Sequence, residues 1–501
     1  MGIVVRQSLK ASFVSYVGVG LGLVNNLFVS TKFLTPEQLS ITRLLLENSL
    51  VFASFVHLGT PFILDKFFVH FKNQEKKHHG FLGFLLLLCL IGVGIFAFLY
   101  VLFKDWIADY FEEKSPAILD YHFLSIPLTA FWVFLIIFEA YSRNHARIAI
   151  PAFIREVFLK ASNIILILIY SLGWLDFDYL VYAIVLLYGF AVIFLMFYIK
   201  NLGKLFLHIG WGVFRGGNLK PMLVYGSVLV LGGLGENIFN FVDRVMLAGK
   251  EGLQETAIFI LASFIVTTIQ IPKKTLSQIS IPLLSEALQT KNYEKLKEIY
   301  HKVALHQLMG GLFVFLGVWC CIDELFAIIP KGQIYAEGKW VVFVLGATTL
   351  FNLAAGLKGE TIMYSDNYRF SSIFVFIFAI LNIFLNYWLI DLYKLEGAAY
   401  ATTIASVLYI STQVTFVYIK FKILPYQWKQ LYVVMFSIVL GGFIKWIFPG
   451  GQGFWSHIVL MMAKALMITA LYIGFLLMFR ISPELNQLYD WFLKKIFKKQ
   501  G

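Results

Sequence analysis

Charge is scarce in this sequence. Only 14% of its 501 residues are Asp, Glu, Lys or Arg, against 59% hydrophobic residues, which leaves too little polar surface to cover a water-soluble globule. Cysteine is rarer still: Cys89, Cys320 and Cys321 are the three present, all within apolar runs and without metal-ligand spacing, so they read as small apolar fillers. The histidines make no zinc pattern, with His78-His79 lying in a Lys-rich loop, so neither a metal nor another cofactor is expected. No nucleotide-binding motif occurs. ATP is thereby excluded as a direct energy source.

What the chain has instead is long apolar runs. About fourteen of them recur from residue 11 to residue 479, each near the ~20 residues that cross a hydrocarbon core, and they predict an all-α, polytopic membrane protein. The first, 11–30, follows only a few basic residues and has no small-residue cleavage pattern behind it, so it is expected to stay in the protein. Lys and Arg crowd alternate loops, around 65–80, 142–152, 200–221, 273–302, 420–429 and 480–501, whereas acidic residues prefer the other set. By the positive-inside rule both termini are cytoplasmic. The net charge of +12 then reflects topology and gives no reason to expect a nucleic acid as partner.

A weak repeat divides the chain. Asn163-Ile164 in the fifth span matches Asn382-Ile383 in the eleventh, and Tyr198-Ile199-Lys200 matches Tyr418-Ile419-Lys420 at nearly the same offset. The simplest parse is a six-helix bundle with a basic connecting loop over 1–220, a second six-helix bundle over 221–429, and two trailing helices with a basic tail over 430–501.

Polar residues inside the spans fall on stripes at helical spacing. Glu236, Asn237, Asn240, Asp243 and Arg244 share one arc of the seventh span. Ser15, Gly18, Gly22, Asn25 and Asn26 share one in the first. Arg43, Glu47, Ser54 and His57 share one in the second, with Arg43 and Glu47 spaced for an ion pair, and Ser263, Thr267, Gln270 and Lys274 share one in the eighth. Small polar faces also serve helix packing, and Asp243-Arg244 near the end of a span also reads as an interfacial ion pair. Glu47 and Glu236 are harder to assign to packing, because an ionised, unpaired carboxylate inside a span costs ~2.5 to 3.5 kcal/mol. Glu139 is expected to pair with Arg143; Lys445 and Lys464 fit snorkelling, partner contact or substrate contact. The stretch from Pro282 to Lys302 reads as an amphipathic surface helix.

With Arg6-Gln7-Ser8 ahead of the first span, Lys32-Phe33-Leu34-Thr35-Pro36-Glu37 after it and Asp243-Arg244 closing the seventh, the full chain resembles the polysaccharide (O-antigen and exopolysaccharide) flippases of the multidrug/oligosaccharidyl-lipid/polysaccharide (MOP) exporter superfamily. That resemblance implies two six-helix bundles around a central cavity lined by the first, second, seventh and eighth helices, in a bacterial inner membrane. It implies a flippase that turns an undecaprenyl-diphosphate-linked oligosaccharide outward by alternating access, among membrane lipids and alongside polysaccharide polymerase and glycosyltransferase partners. Arg43, Arg244 and Lys274 carry the charge a diphosphate needs, while Asn25, Asn26, Asn237 and Asn240 suit sugar hydroxyls. Glu47, Glu236 and Asp243 are the ion-coupling expectations. The rivals are a drug or cation antiporter of the same superfamily, a lipid-linked peptidoglycan precursor flippase and, from another class, a membrane polysaccharide polymerase. The last would need a catalytic cluster in a large outer loop, and the loop 104–120 has acids but no defensible pair.

Overall fold

A computed structural model describes residues 3–73, 77–209, 219–451 and 453–497. Much of the expected basic connecting loop (210–218) and the end of the basic tail (498–501) lie outside these residues. Every regular element among the described residues is helical, without a strand. In chain order the helices used below are α1 (Ile3–Val24, continued by a π turn at Asn25–Val29 and by Ser30–Phe33), α2 (Pro36–Val56), α3 (Thr60–Phe71), α4 (Phe81–Leu102) and α5 (Ser125–Asn144). There follow α6 (Leu159–Ser171), α7 (Phe177–Asn201), α8 (Leu219–Lys250), α9 (Leu253–Thr267) and α10 (Ile271–Gln289). The last are α11 (Tyr293–Cys320), α12 (Lys339–Ala354), α13 (Lys358–Met363), α14 (Tyr368–Phe421), α15 (Trp428–Ile447) and α16 (Phe454–Met478).

Among the described residues, twelve helices are long and apolar enough to cross a membrane. The chain is a multi-pass membrane protein. Two of the expected fourteen spans are drawn differently. The fifth is a succession of helical pieces from Ala149 to Ser171, with a π turn at Ile154–Phe158, and α14 holds two spans. Its 54 residues break at Lys394 (φ 51°, ψ −124°), and a Cβ built on Gly397 would lie 2.1 Å from the carbonyl of Leu389; eight residues of straight helix would separate the two by about 12 Å. The chain therefore doubles back there.

The chain forms two compact units, 1–261 with 369–405, and 262–368 with 406–501. The first unit thus takes in α8 and part of α14, which the parse at 220/221 assigned to the second bundle. Within it Val56, Leu64, Phe68, Phe81, Leu85 and Tyr141 are buried among α2 to α7. Lipid tails are as apolar as these side chains, so close packing and hydrogen bonds hold such helices together. Glycines supply the closest approaches. Gly59 adopts φ 76°, and a Cβ on it would meet the backbone of Gly226 in α8 at 2.7 Å, so α8 lies against the α2–α3 corner at its own beginning. Near its other end Ser115 donates to the carbonyl of Ala248 at 2.6 Å.

In the second unit α11 packs on α15 and α16 through Leu308, Leu312, Leu440 and Ile468. Lys464 of α16 is buried, its ammonium 2.7 Å from Glu324 in the short helix Ile322–Ile328 and 3.0 Å from the carbonyl of Cys320. It therefore does not snorkel. Lys445 lies over the ring of Trp319 at 4.0 Å. The stretch from Pro282 to Lys302 is not one surface helix: α10 ends at Gln289, the chain turns, Asn292 caps α11 by accepting from the amide of Lys295, and Leu284, Ala287, Leu296 and Tyr300 are fully buried where the two helices pack.

Candidate functional site

The second span starts earlier than its hydropathy suggests, at Pro36 and not near 44. Thr35 accepts from the Gln38 amide at 3.2 Å and Gln38 answers through the Thr35 amide at 3.0 Å, a reciprocal cap that fixes the first turn of α2. Arg43 and Glu47 consequently sit about two and three turns inside the helix. The seventh span overruns its expected end in the same way. α8 continues to Lys250, so Asp243 and Arg244 lie within the helix, almost two turns short of its terminus.

Inside the first unit these shifts bring four sequence-selected residues together. Arg244 of α8 forms its ion pair with Glu47 of α2, and Arg43 donates to Asn26 in the π turn that continues α1. The spacing of Arg43 and Glu47 had suggested a pair within α2; Glu47 instead serves an arginine 197 residues away. The two guanidinium groups are close enough for their charges to oppose each other. Arg244 and Glu47 side chains are 12% and 17% exposed, and among the described residues the second Glu47 oxygen and the Arg244 Nε are buried without a partner. Phe241 stacks beneath Arg244 at 5.3 Å. Two cations, one carboxylate and an amide from three helices thus share a site with hydrogen-bonding capacity to spare.

Asp243 faces the other way. It is buried (4% exposed), takes a hydrogen bond from Thr402 at 3.2 Å and accepts from the Arg244 amide at 3.0 Å, so its expected ion pair with its neighbour is not made. Asn382 donates to the carbonyl of Phe239, one turn before Asp243, at 3.5 Å. One turn beyond Asn382, Asn386 donates back to the carbonyl and side chain of Asn382 and keeps a buried Oδ1 without a donor among the described residues. A buried carboxylate and a hydroxyl in contact are hard ligands of the kind that take a small cation.

The remaining expectations fall elsewhere. Asn25 is buried and committed: it donates to Asn163 at 3.0 Å and accepts from Ser30. Gly18 lies against Glu156, and Lys160 reaches the Gly18 carbonyl at 3.1 Å, so much of the α1 stripe is a packing face. Glu236 and Asn240 are exposed and Asn237 half-buried on α8. Lys274 belongs to the second unit, where it and Thr267 are exposed while Ile265, Val266 and Ile269 are buried; that stripe turns away from the packed side of its helix. Glu139 pairs with Arg155 at 3.0 Å, and Arg143 instead with Asp65 at 2.6 Å. Sequence reasoning missed Thr402 as the partner of Asp243. The repeat did single out Asn163 and Asn382, and these do equivalent work: the first ties the fifth span to the first, the second ties the eleventh to the seventh.

No known sequence family and no curated protein matches the chain. Solved structures do. It is similar to the lipid II flippase MurJ in an inward closed conformation, with 14% identity and a TM-score of 0.71 over 94% of this chain and 100% of the other. It is also similar to an inward-facing MATE multidrug resistance transporter (16% identity, TM-score 0.63, 83% and 98% covered). A third is a MOP superfamily transporter from Pyrococcus furiosus, described as having a binding pocket of reversed polarity (15% identity, TM-score 0.55, 83% and 95% covered). These neighbours are transporters and flippases, not enzymes, and the fold of this chain is that of the MOP superfamily transporters.

Proposed function

We propose that the protein is a flippase for an undecaprenyl-diphosphate-linked oligosaccharide, moving it from the cytoplasmic to the outer leaflet by alternating access. The observation that carries this reading is the convergence of Arg43 and Arg244, from different helices, on one site where Glu47 answers both charges. A cationic drug would be repelled there. A diphosphate needs such donors, because a bare anion in hydrocarbon is prohibitively costly.

In this arrangement Glu47 neutralises Arg244. Parting of α2 from α8 would release Arg244, and with Arg43 it would then grip the diphosphate while the prenyl tail stays in the bilayer. Asn26, Asn237 and Asn240 supply groups for sugar hydroxyls. Asp243 offers the driving element: a cation or proton held between Asp243 and Thr402 removes a negative charge beside Arg244 and strengthens its hold on an anion. Driving requires that the ion bind one state better than the other. Glu236, exposed on α8, remains an alternative proton carrier. A bacterial inner membrane location and contacts with a polymerase or glycosyltransferases accompany this reading.

A lipid-linked peptidoglycan precursor is the second reading, favoured by the similarity to the lipid II flippase; it carries the same diphosphate. Purified protein in vesicles, offered fluorescent forms of both lipids, separates the two by which one is translocated. Translocation that persists after proton and sodium gradients are dissipated removes the coupling role of Asp243.

A further inference from the structure

The last described helix, α17 (Pro483–Phe497), follows α16 after a turn at residues 479–482 in which Arg480 adopts φ 48°. Its first turn is pinned to the second unit. Ser482 is fully buried, accepts from the Leu485 amide at 3.3 Å and meets Nε2 of His306 at 2.9 Å. Glu484 lies 3.3 Å from Lys302, and Asn486 donates to the carbonyl of Leu477 at 3.1 Å. Leu477 belongs to the last turn of α16. In a continuous helix the nine residues between them would set the two apart by about 13 Å. The chain therefore turns at the end of its last span, and α17 starts level with that end, at the boundary between acyl chains and headgroups.

Past the first turn the protein withdraws from this helix. Leu485 is half-buried against the cluster of Leu308, Leu312 and Ile468, whereas Tyr489, one turn on in the same arc, is 46% exposed and Trp491 is 55% exposed. In sequence, positions 485, 488, 489, 492, 493 and 496 form one apolar arc of about 140° at helical spacing, and Gln487, Asp490 and Lys494 fall opposite it. After Asp490 come Lys494, Lys495, Lys498 and Lys499, and no acid. Tyrosine and tryptophan favour the wet edge of a bilayer. An apolar arc held at the height of the headgroups meets lipid before any soluble partner, and a row of lysines on the Lys-rich side of the membrane matches negative lipid phosphates.

We propose that α17 is a binding helix for anionic lipid: it lies along the Lys-rich face of the membrane, its apolar arc seated at the acyl-chain boundary, and the lysines after Asp490 hold headgroup phosphates. The site is independent of the substrate. Pinned through Ser482, Glu484 and Asn486, it couples the trailing pair α15 and α16 to the lipid composition of that leaflet.

The test uses full-length protein in nanodiscs of phosphatidylcholine, with or without phosphatidylglycerol, and a nitroxide on Gln487→Cys, Tyr489→Cys, Asp490→Cys or Ile496→Cys. The three native cysteines are buried, which leaves the introduced one to react. With phosphatidylglycerol present, relaxation by oxygen should exceed relaxation by an aqueous nickel chelate at Tyr489 and Ile496, and the reverse should hold at Gln487 and Asp490. Each lysine near an anionic surface raises the membrane-bound population about fivefold. The alternation should therefore fade in phosphatidylcholine alone, in high salt, and in the variant carrying Lys494→Gln, Lys495→Gln, Lys498→Gln and Lys499→Gln. An aqueous signal at all four positions with phosphatidylglycerol overturns the proposal. An alternation of equal depth in both lipids, or one unchanged by salt and by the four substitutions, overturns it too. Shielding of Tyr489 from both relaxants assigns the face to a protein partner or a second copy, and also overturns it.

Discussion

The pairing of Glu47 with Arg244 sets the sharpest expectation. Replacing Glu47 by Gln keeps the shape and removes the carboxylate that pairs with Arg244, leaving two guanidinium groups close together. Both partners are mostly buried, at 12% and 17% side-chain exposure, so solvent screening is weak, and breaking one side of such a pair costs about 3 to 5 kcal/mol. At the lower end this moves an equilibrium about a hundredfold. The docked arrangement of α2 and α8 should then lose its dominance. Spin labels at Glu37, exposed in the first turn of α2, and at Lys394, 75% exposed in its side chain, report on it by pulsed dipolar spectroscopy. Wild type should give one principal distance, Glu47→Gln and Arg244→Gln a second and longer one, and the charge-reversed pair Glu47→Arg with Arg244→Glu a return towards the first. An unchanged distance distribution in both single variants would refute the claim that this ion pair holds the two helices together.

Other consequences are as direct. Gly226→Leu inserts a side chain where α8 meets the backbone of Gly59; it should open that contact and raise the labelling rate of a cysteine placed at Ile63. Lys464→Met leaves Glu324 buried and unpaired and should lower stability by about 3 kcal/mol or more, whereas the double variant Lys464→Met with Glu324→Gln should regain most of it in thermal unfolding. His145, packed among Phe68, Tyr141 and His78, has its pKa pushed down to about 4 mainly by burial. A histidine kept neutral on folding binds fewer protons than the unfolded chain between its two pKa values, so its contribution is present above about pH 6.5 and is lost as pH falls towards 4. His145→Leu should flatten that part of the pH–stability curve.

The sequence carried the membrane class well, because it depends on local composition and run length. Asp243 and Arg244 stood out for the same reason. Their partners did not. Glu47 lies 197 residues from Arg244 and Thr402 lies 159 from Asp243, and a single sequence holds no distance information of that kind, so the i, i+4 spacing of Arg43 and Glu47 offered a local pair that the fold does not use. Span edges failed where polar residues sit inside a helix. Arg43 looked like a boundary by hydropathy, yet the cap of Thr35 and Gln38, legible in the sequence as Thr35-Pro36-Glu37-Gln38, starts the helix two turns earlier. Asn25 shows the opposite error: its stripe was real, and packing against Asn163 accounts for its burial. Lys464 was ambiguous because its partner, Glu324, lies in a segment that reads as a loop.

The most direct measurement is translocation of an undecaprenyl-diphosphate-linked oligosaccharide by the purified protein in vesicles, comparing wild type with the Arg43→Gln, Arg244→Gln double variant at equal incorporation. Flipping should be lost in the double variant, while its helical content stays close to wild type. Undiminished flipping by that variant would mean that the diphosphate is held elsewhere, and would contradict the account.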